Sequence, residues 1–256
     1  MAALACVLGG FGRWYWRLLG ARRLRSGPSA ARPLALTPLL CAGLLLVALR
    51  QWSASDVRDS PRYLYFYDLL GCAWIWGFAL LLVPFGLCAR DDVAERSNRA
   101  AAHALCGALL GATAAYAGAN IGDGPGFEVV LFSAALASGA LLLVVLLSSA
   151  IGRSIELVTL ERDAAAGLRL GGLFAAGGLL AGRAAAGDWK SVEATVRDFV
   201  DAGWPLLALA AAAAVIDRIA RPTIERPTPS PLALGWIPAI GYVAAALLWV
   251  WQLGAP

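Results

Sequence analysis

The side chains of this sequence that could do chemistry are ionisable groups inside long apolar stretches. His103 is the only histidine, and Arg169 lies within the apolar stretch Ala164–Ala186. Ionisable groups inside a membrane helix are functional candidates, and an imidazole could relay a proton or bind a ligand. The alternatives are a packed, hydrogen-bonded His103 and an Arg169 whose guanidinium snorkels to the nearer interface. The sequence therefore offers two candidate intramembrane polar residues.

Signatures of catalysis and of metal binding are missing from the sequence. It contains no GxSxG, no HExxH, no phosphate-binding Gly-Lys motif and no cluster of His, Cys and Glu. Its five cysteines include no CxxC pair, which favours small buried apolar residues over disulfides or metal ligands. We therefore expect no enzyme activity, no cofactor and no metal site.

The element that must position Arg169 is the stretch Ala164–Ala186. Its 23 residues span ~34 Å as a helix, enough to cross a hydrocarbon core of ~30 Å. Gly167 and Gly171, and again Gly178 and Gly182, recur at helical spacing. Small residues let helix backbones approach closely in lipid, so we predict close helix packing on this face. Compositional bias and a ligand-lined groove are the alternatives.

An earlier stretch looks like a copy of this helix. Arg99–Gly118 aligns with Asp163–Gly182 at a separation of 64 residues and without a gap, and eight positions are identical. The copy adds three glycines to the predicted packing residues, namely Gly107, Gly111 and Gly118. We therefore predict tandem helical hairpins, since internal symmetry is common in membrane proteins. His103 aligns with a glycine, which argues against a symmetric ion site.

The first copy resembles a known family. SNRAAA, at residues 97–102, followed by LCGALLG, is similar to the motif of the bacterial inner-membrane family called domain of unknown function 350. The matching residues are Asn98, Ala100, Ala101, Ala102, Gly107 and Gly111. Ser97 replaces the glycine of the family motif, and Arg162 stands where its asparagine would fall in the second copy. The resemblance covers roughly residues 65–220 and implies that the protein is located in the inner membrane.

Composition indicates a membrane protein. Hydrophobic residues make up 60% and charged residues 15% of the 256 residues, against about 45–50% and 25% in soluble domains. The pI near 9.0 could indicate nucleic-acid binding. The arginines, however, lie between apolar blocks, so orientation in the bilayer explains them better and no nucleic-acid partner is expected.

The apolar blocks predict an all-α protein with about seven transmembrane helices. These are Leu34–Leu49, Tyr65–Cys88, Ala100–Ile121, Phe127–Ile151, Ala164–Ala186, Phe199–Ile216 and Leu232–Leu253. The sixth is the weakest, because Asp201 and Asp217 bracket only 15 uncharged residues. Pro238 predicts a kink in the seventh.

The sequence divides into four regions. Residues 1–33 form a basic N-terminal segment in which Phe11–Leu24 suits an amphipathic helix on an anionic leaflet, a solvated tail being the alternative. Residues 34–64 hold the first span and its outer loop. Residues 65–220 hold the repeated helices, and residues 221–256 hold a proline-rich loop and the last span.

Charge predicts the orientation. One side of the seven-span arrangement collects fourteen arginines and the other collects five basic residues, which places the N-terminus in the cytoplasm and the C-terminus outside.

The function that fits best is a structural or interaction component of the bacterial envelope, in contact with lipid and with a second copy or another envelope protein. A small transporter or channel for an ion or small solute is the alternative. A dry, closed bundle favours the first, and a water-accessible cavity reached by Arg169 or His103 favours the second.

Overall fold

The computed structural model describes residues 2–21, 30–225 and 229–254. Four arginines of the orientation argument, Arg22, Arg23, Arg25 and Arg226, lie outside these ranges. In chain order the described helices are α1 (Ala2–Leu19), α2 (Ala31–Trp52), α3 (Ser55–Arg58), α4 (Pro61–Leu81), α5 (Arg99–Gly118), α6 (Phe127–Gly152), α7 (Ser154–Thr159), α8 (Ala164–Ala185), α9 (Val192–Gly203), α10 (Pro205–Ile219) and α11 (Ile237–Gln252). Within the described part of the chain the fold is all α.

Among the described residues, six helical segments are long and apolar enough to cross a membrane, which confirms the predicted class. They contain 20 to 26 residues each and have mean hydropathies between 1.3 and 2.6. The first, α2, has 22 residues instead of the predicted 16, so it is not short. The second extends from α4 through a 3-10 turn to Phe85, and the last includes a π-helical turn, Leu232–Trp236, before α11.

The predicted sixth span is not one straight helix. It consists of α9 and α10, which are bent by 43° at a break at Trp204. Pro205 is the first residue of α10, where its missing N–H needs no intrahelical partner, but it cannot continue α9. Helix α9 begins at Val192, seven residues before the predicted start of the sixth span at Phe199. The bent pair runs antiparallel along α8, because Gly203 contacts Ala184 and Asp217 contacts Arg169.

The helices α5 and α8 form the centre of the bundle and run parallel to each other. The buried share of their most apolar windows is 72% and 78%, whereas the other four spans reach 22–39%. We call the end of the bundle where α5 and α8 begin the Asp163 end, and the end where they finish the Gly122 end. At the Gly122 end the two following loops pair, because the amide of Gly187 donates to the carbonyl of Ile121 at 2.9 Å.

The N-terminal helix packs against α2 and α4 near the Asp163 end. It covers Ala2–Leu19 and so begins earlier than the predicted Phe11–Leu24, whose last residues lie outside the described ranges. The hydroxyl of Tyr15 donates to the carbonyl of Ala35 in α2 at 2.7 Å, and Gly10 lies against the Trp76 ring of α4. The segment Ala89–Glu95 is π-helical and lies at the same end.

Candidate functional site

A buried ion pair joins α8 and α10 near the Asp163 end. The guanidinium Nε of Arg169, in the second turn of α8, donates to Oδ1 of Asp217 at 2.5 Å. The two side chains are only 1% and 3% exposed. The snorkelling interpretation of Arg169 is therefore wrong: the bundle encloses the guanidinium, and a carboxylate neutralises it.

The second partner of Arg169 is the main-chain carbonyl of Leu234, in the π-helical turn before α11. This carbonyl accepts a hydrogen bond from Nη1 of Arg169. In a regular helix it would accept from the amide four residues later, but that residue is Pro238, which has no N–H. The proline thus leaves a carbonyl without its usual donor, and Arg169 supplies one. The irregular turn, Leu232–Trp236, directly precedes Pro238, the residue at which the sequence predicts a kink.

Other polar groups surround the pair. Nη2 of Arg169 and the hydroxyl of Tyr242 are buried and have no hydrogen-bond partner among the described residues. Tyr242 lies within electrostatic range of both charges, and Ser154 lies beside Asp217. Space for the carboxylate exists because Gly152 has no side chain: a Cβ there would lie 2.9 Å from that of Asp217. The site thus gathers groups from α7, α8, α10 and α11.

Asp217 was predicted only as the boundary of a span, yet a signal for its role is present in the sequence. Arg169 lies five residues after the start of α8, and Asp217 lies two residues before the end of α10, so both are within ~8 Å of the same end of the bundle. Opposite charges at similar depth on consecutive antiparallel spans are candidates for pairing. Local hydropathy does not show this relationship.

His103, the other predicted polar residue, is half-buried in α5 and packs against Trp236 with ring centroids 6.4 Å apart. No group of three or more His, Cys, Asp and Glu side chains in the described ranges could hold a metal ion. This placement fits the packed histidine better than a ligand set, while the hydrogen bond expected for the imidazole stays a prediction.

The seven predicted packing glycines all lie on the contact between α5 and α8. A Cβ on Gly107 would lie 2.1 Å from the carbonyl oxygen of Gly171, and one on Gly171 would lie 2.5 Å from that of His103. At the other five the distance to a carbonyl oxygen of the opposite helix is 2.1–2.4 Å; these are Gly111, Gly118, Gly167, Gly178 and Gly182. Side chains larger than hydrogen do not fit at such distances, so the two backbones are in direct contact.

The starts of α5 and α8 share one arrangement. The side chain of Asn98 accepts from the amide of Ala101 at 3.2 Å, and that of Asp163 accepts from Ala165 at 2.9 Å. The residue before each cap has positive φ, 51° at Ser97 and 57° at Arg162. The caps lie 65 residues apart, one more than the separation of the best sequence alignment. The Asn98 amide nitrogen also donates to the carbonyl of Val158 at 2.9 Å, which ties the two regions together.

No family model, curated protein or solved structure matches the chain. The resemblance to the family called domain of unknown function 350 therefore stays a prediction. Fold and site together define an α-helical, multi-pass membrane protein whose central helix pair is sealed by glycines and carries one enclosed ion pair at its Asp163 end.

Proposed function

We propose that this protein is an integral component of the bacterial inner membrane with a structural or interaction role in the envelope, and with no catalytic activity or cofactor. The observation that carries the proposal is the closure of the bundle around α8. Arg169, the ionisable group enclosed most deeply in that helix, is 1% exposed and neutralised. The glycines of α5 and α8 bring the two helix backbones into contact, which leaves no room for a solute between these helices. Such a bundle is suited to rigid display of its outer faces.

Orientation is part of the proposal. The positive-inside rule favours a cytoplasmic Asp163 end, where Arg13, Arg90, Arg96 and Arg153 lie. The contacts of the bent pair extend along α8 from Ala184 to the Arg169 level, which supports counting α9 and α10 as one crossing. Seven crossings put the N-terminus in the cytoplasm and the C-terminus outside.

We also infer that α5 and α8 descend from a duplicated unit. The support is the shared cap, the positive φ before each cap and the glycines on both helices. The positive φ of Ser97 also agrees with the glycine that the resembled family motif has at this position, because glycine adopts that conformation without strain.

One observation favours the alternative, a transporter or channel. Charge pairs inside membrane bundles occur on proton and ion pathways, and Nη2 of Arg169 has no described partner. If the Arg169–Asp217 pair opens in a second conformation, it could couple helix movement to a proton or an ion.

Two measurements distinguish the roles. In proteoliposomes, the interaction role predicts proton and ion flux equal to that of empty liposomes. Flux of the wild-type protein above this background would establish the transporter instead.

In cells, a photo-crosslinking residue at the exposed position Leu40 of α2 or Leu247 of α11 should trap a discrete partner or a second copy. The buried position Leu141, 0% exposed, is the matched control and should trap none. Absence of any adduct from exposed positions on all lipid-facing helices would contradict the interaction role.

A further inference from the structure

A basic groove lies at the Asp163 end, between α1 and the π-helical segment Ala89–Glu95. Its volume is about 570 Å³. The residues that line it are Arg13, Trp16, Arg17, Gly20, Ala21, Arg90 and Glu95. Three guanidinium groups face one carboxylate, so the groove carries a net positive charge.

Two of the three guanidinium groups have no acidic partner. Arg13 and Arg17 lie one helical turn apart on the same face of α1, and no carboxylate of the described residues is within ion-pair distance of either. Arg90, by contrast, donates to Glu95 at 2.9 Å and lies 3.8 Å from a carboxylate oxygen of Asp91. The groove therefore holds positive charge that the described protein does not neutralise, and it fits an anion with several acceptor oxygens, such as a phosphate group.

An apolar cavity adjoins this groove. Its volume is about 80 Å³, and it shares Arg17 and Arg90 with the groove. Its other walls are mainly apolar side chains of α2, α4, the following turn and α5, among them Leu34, Leu80, Val83, Leu87 and Leu105. A basic surface that leads directly into an apolar cavity matches an amphiphile with an anionic head, whereas a free inorganic anion would use only the basic part.

We propose that this composite cleft binds an anionic phospholipid. The phosphate oxygens accept hydrogen bonds from Arg13 and Arg17, with Arg90 at the boundary, and the first part of an acyl chain enters the apolar cavity. Trp16, 82% exposed, lies at the edge of the groove, where an indole suits the membrane interface. Basic pockets between helices at a membrane surface bind lipid head groups in this way. The inference rests on the membrane-spanning fold and not on the proposed interaction role.

Native mass spectrometry of the purified full chain tests this site. The probes are phosphatidylglycerol and phosphatidylcholine with identical acyl chains. We expect at least tenfold tighter binding of phosphatidylglycerol. The triple variant Arg13→Gln, Arg17→Gln, Arg90→Gln should lose at least fivefold of that affinity. The matched control, Arg58→Gln, Arg62→Gln, Arg197→Gln at the opposite end of the bundle, should bind like the wild type. Equal binding of the two lipids, or equal loss in both triple variants, overturns the proposal.

Two further arms separate a lipid from a free anion and from a folding defect. Inorganic phosphate at millimolar concentration should displace phosphatidylglycerol by less than twofold; full displacement would assign the groove to a free phosphate and overturn the lipid site. Glu95→Gln removes the nearer of the two carboxylates that pair with Arg90 and should tighten phosphatidylglycerol binding two- to threefold. This gain cannot arise from misfolding, and its absence, together with unchanged binding by the arginine variant, would exclude the groove as the lipid site.

Discussion

Arg169 and Asp217 are 48 residues apart in the chain, and their side chains meet inside the bundle with Nε 2.5 Å from Oδ1. Neither charge reaches solvent, and a carbonyl left without its helical donor by Pro238 accepts a second hydrogen bond from the guanidinium. The relationship joins the central helix to the bent pair and to the last span. The packing at the Asp163 end of the bundle therefore depends on three groups that are distant in the sequence: the Arg169 guanidinium, the Asp217 carboxylate and the Leu234 carbonyl.

Removal of one charge should destabilise the protein strongly. Asp217→Asn leaves the Arg169 guanidinium uncompensated in a closed environment, so we expect a loss of about 3–5 kcal/mol in the free energy of unfolding. The double variant Arg169→Met, Asp217→Leu should lose much less, because no unpaired charge remains. Unfolding in mixed detergent micelles provides the measurement.

The exposed pair of Arg153 and Glu156 is the control for this series. These side chains are 61% and 48% exposed, so Glu156→Gln should change stability by less than about 1 kcal/mol. If Asp217→Asn has as small an effect as Glu156→Gln, the buried pair does not stabilise the bundle.

The contact of α5 with α8 should not tolerate a side chain at Gly171. A leucine there would separate the two backbones, and we expect a loss of about 3 kcal/mol or more. Gly139 of α6 is the matched control, because a Cβ added there has no neighbour within 4 Å and the position faces outwards. Thermal unfolding in detergent should show Gly139→Leu near the wild type; similar midpoints for both variants would contradict the packing argument.

Ser97→Gly should stabilise the protein. Ser97 has φ 51°, which costs a side-chain-bearing residue about 1–2 kcal/mol, and its buried hydroxyl has no partner among the described residues. After the entropy cost of glycine in the unfolded chain, about 0.5–1 kcal/mol of stabilisation should remain. Ser60, with φ −109°, is the control, and Ser60→Gly should be neutral or destabilising. A loss of stability in Ser97→Gly would assign the hydroxyl a contact that this argument omits.

The proposed orientation predicts the activity of alkaline phosphatase fusions, since the enzyme folds only outside the cytoplasm. A fusion within residues 89–99 should be inactive, and fusions within residues 186–191 and after Gly254 should be active. An active fusion at residues 89–99 reverses the orientation. Activity at residues 186–191 without activity after Gly254 would show that the bent pair α9–α10 returns to the side from which it entered.

The parts of the fold that can be predicted from the sequence are those that depend only on residues close together in the chain. The spans, the N-terminal helix and the seven packing glycines could be recognised because hydropathy and small-residue spacing depend only on neighbouring residues. The break at Trp204 could not, because Pro205 suits both the first turn of one helix and the start of a second. Which of these occurs depends on how α9 and α10 pack along α8.

For the candidate site, the sequence alone determined that Arg169 stands in an apolar helix and that glycines line one face of that helix. Only the tertiary structure decided that the guanidinium is enclosed rather than snorkelling, because its partners, Asp217 and the Leu234 carbonyl, lie 48 and 65 residues further along the chain. Hydropathy measures the cost of a charge in lipid at one position. Whether another charge offsets that cost depends on which helices are neighbours, and helix packing decides this through contacts between residues far apart in sequence.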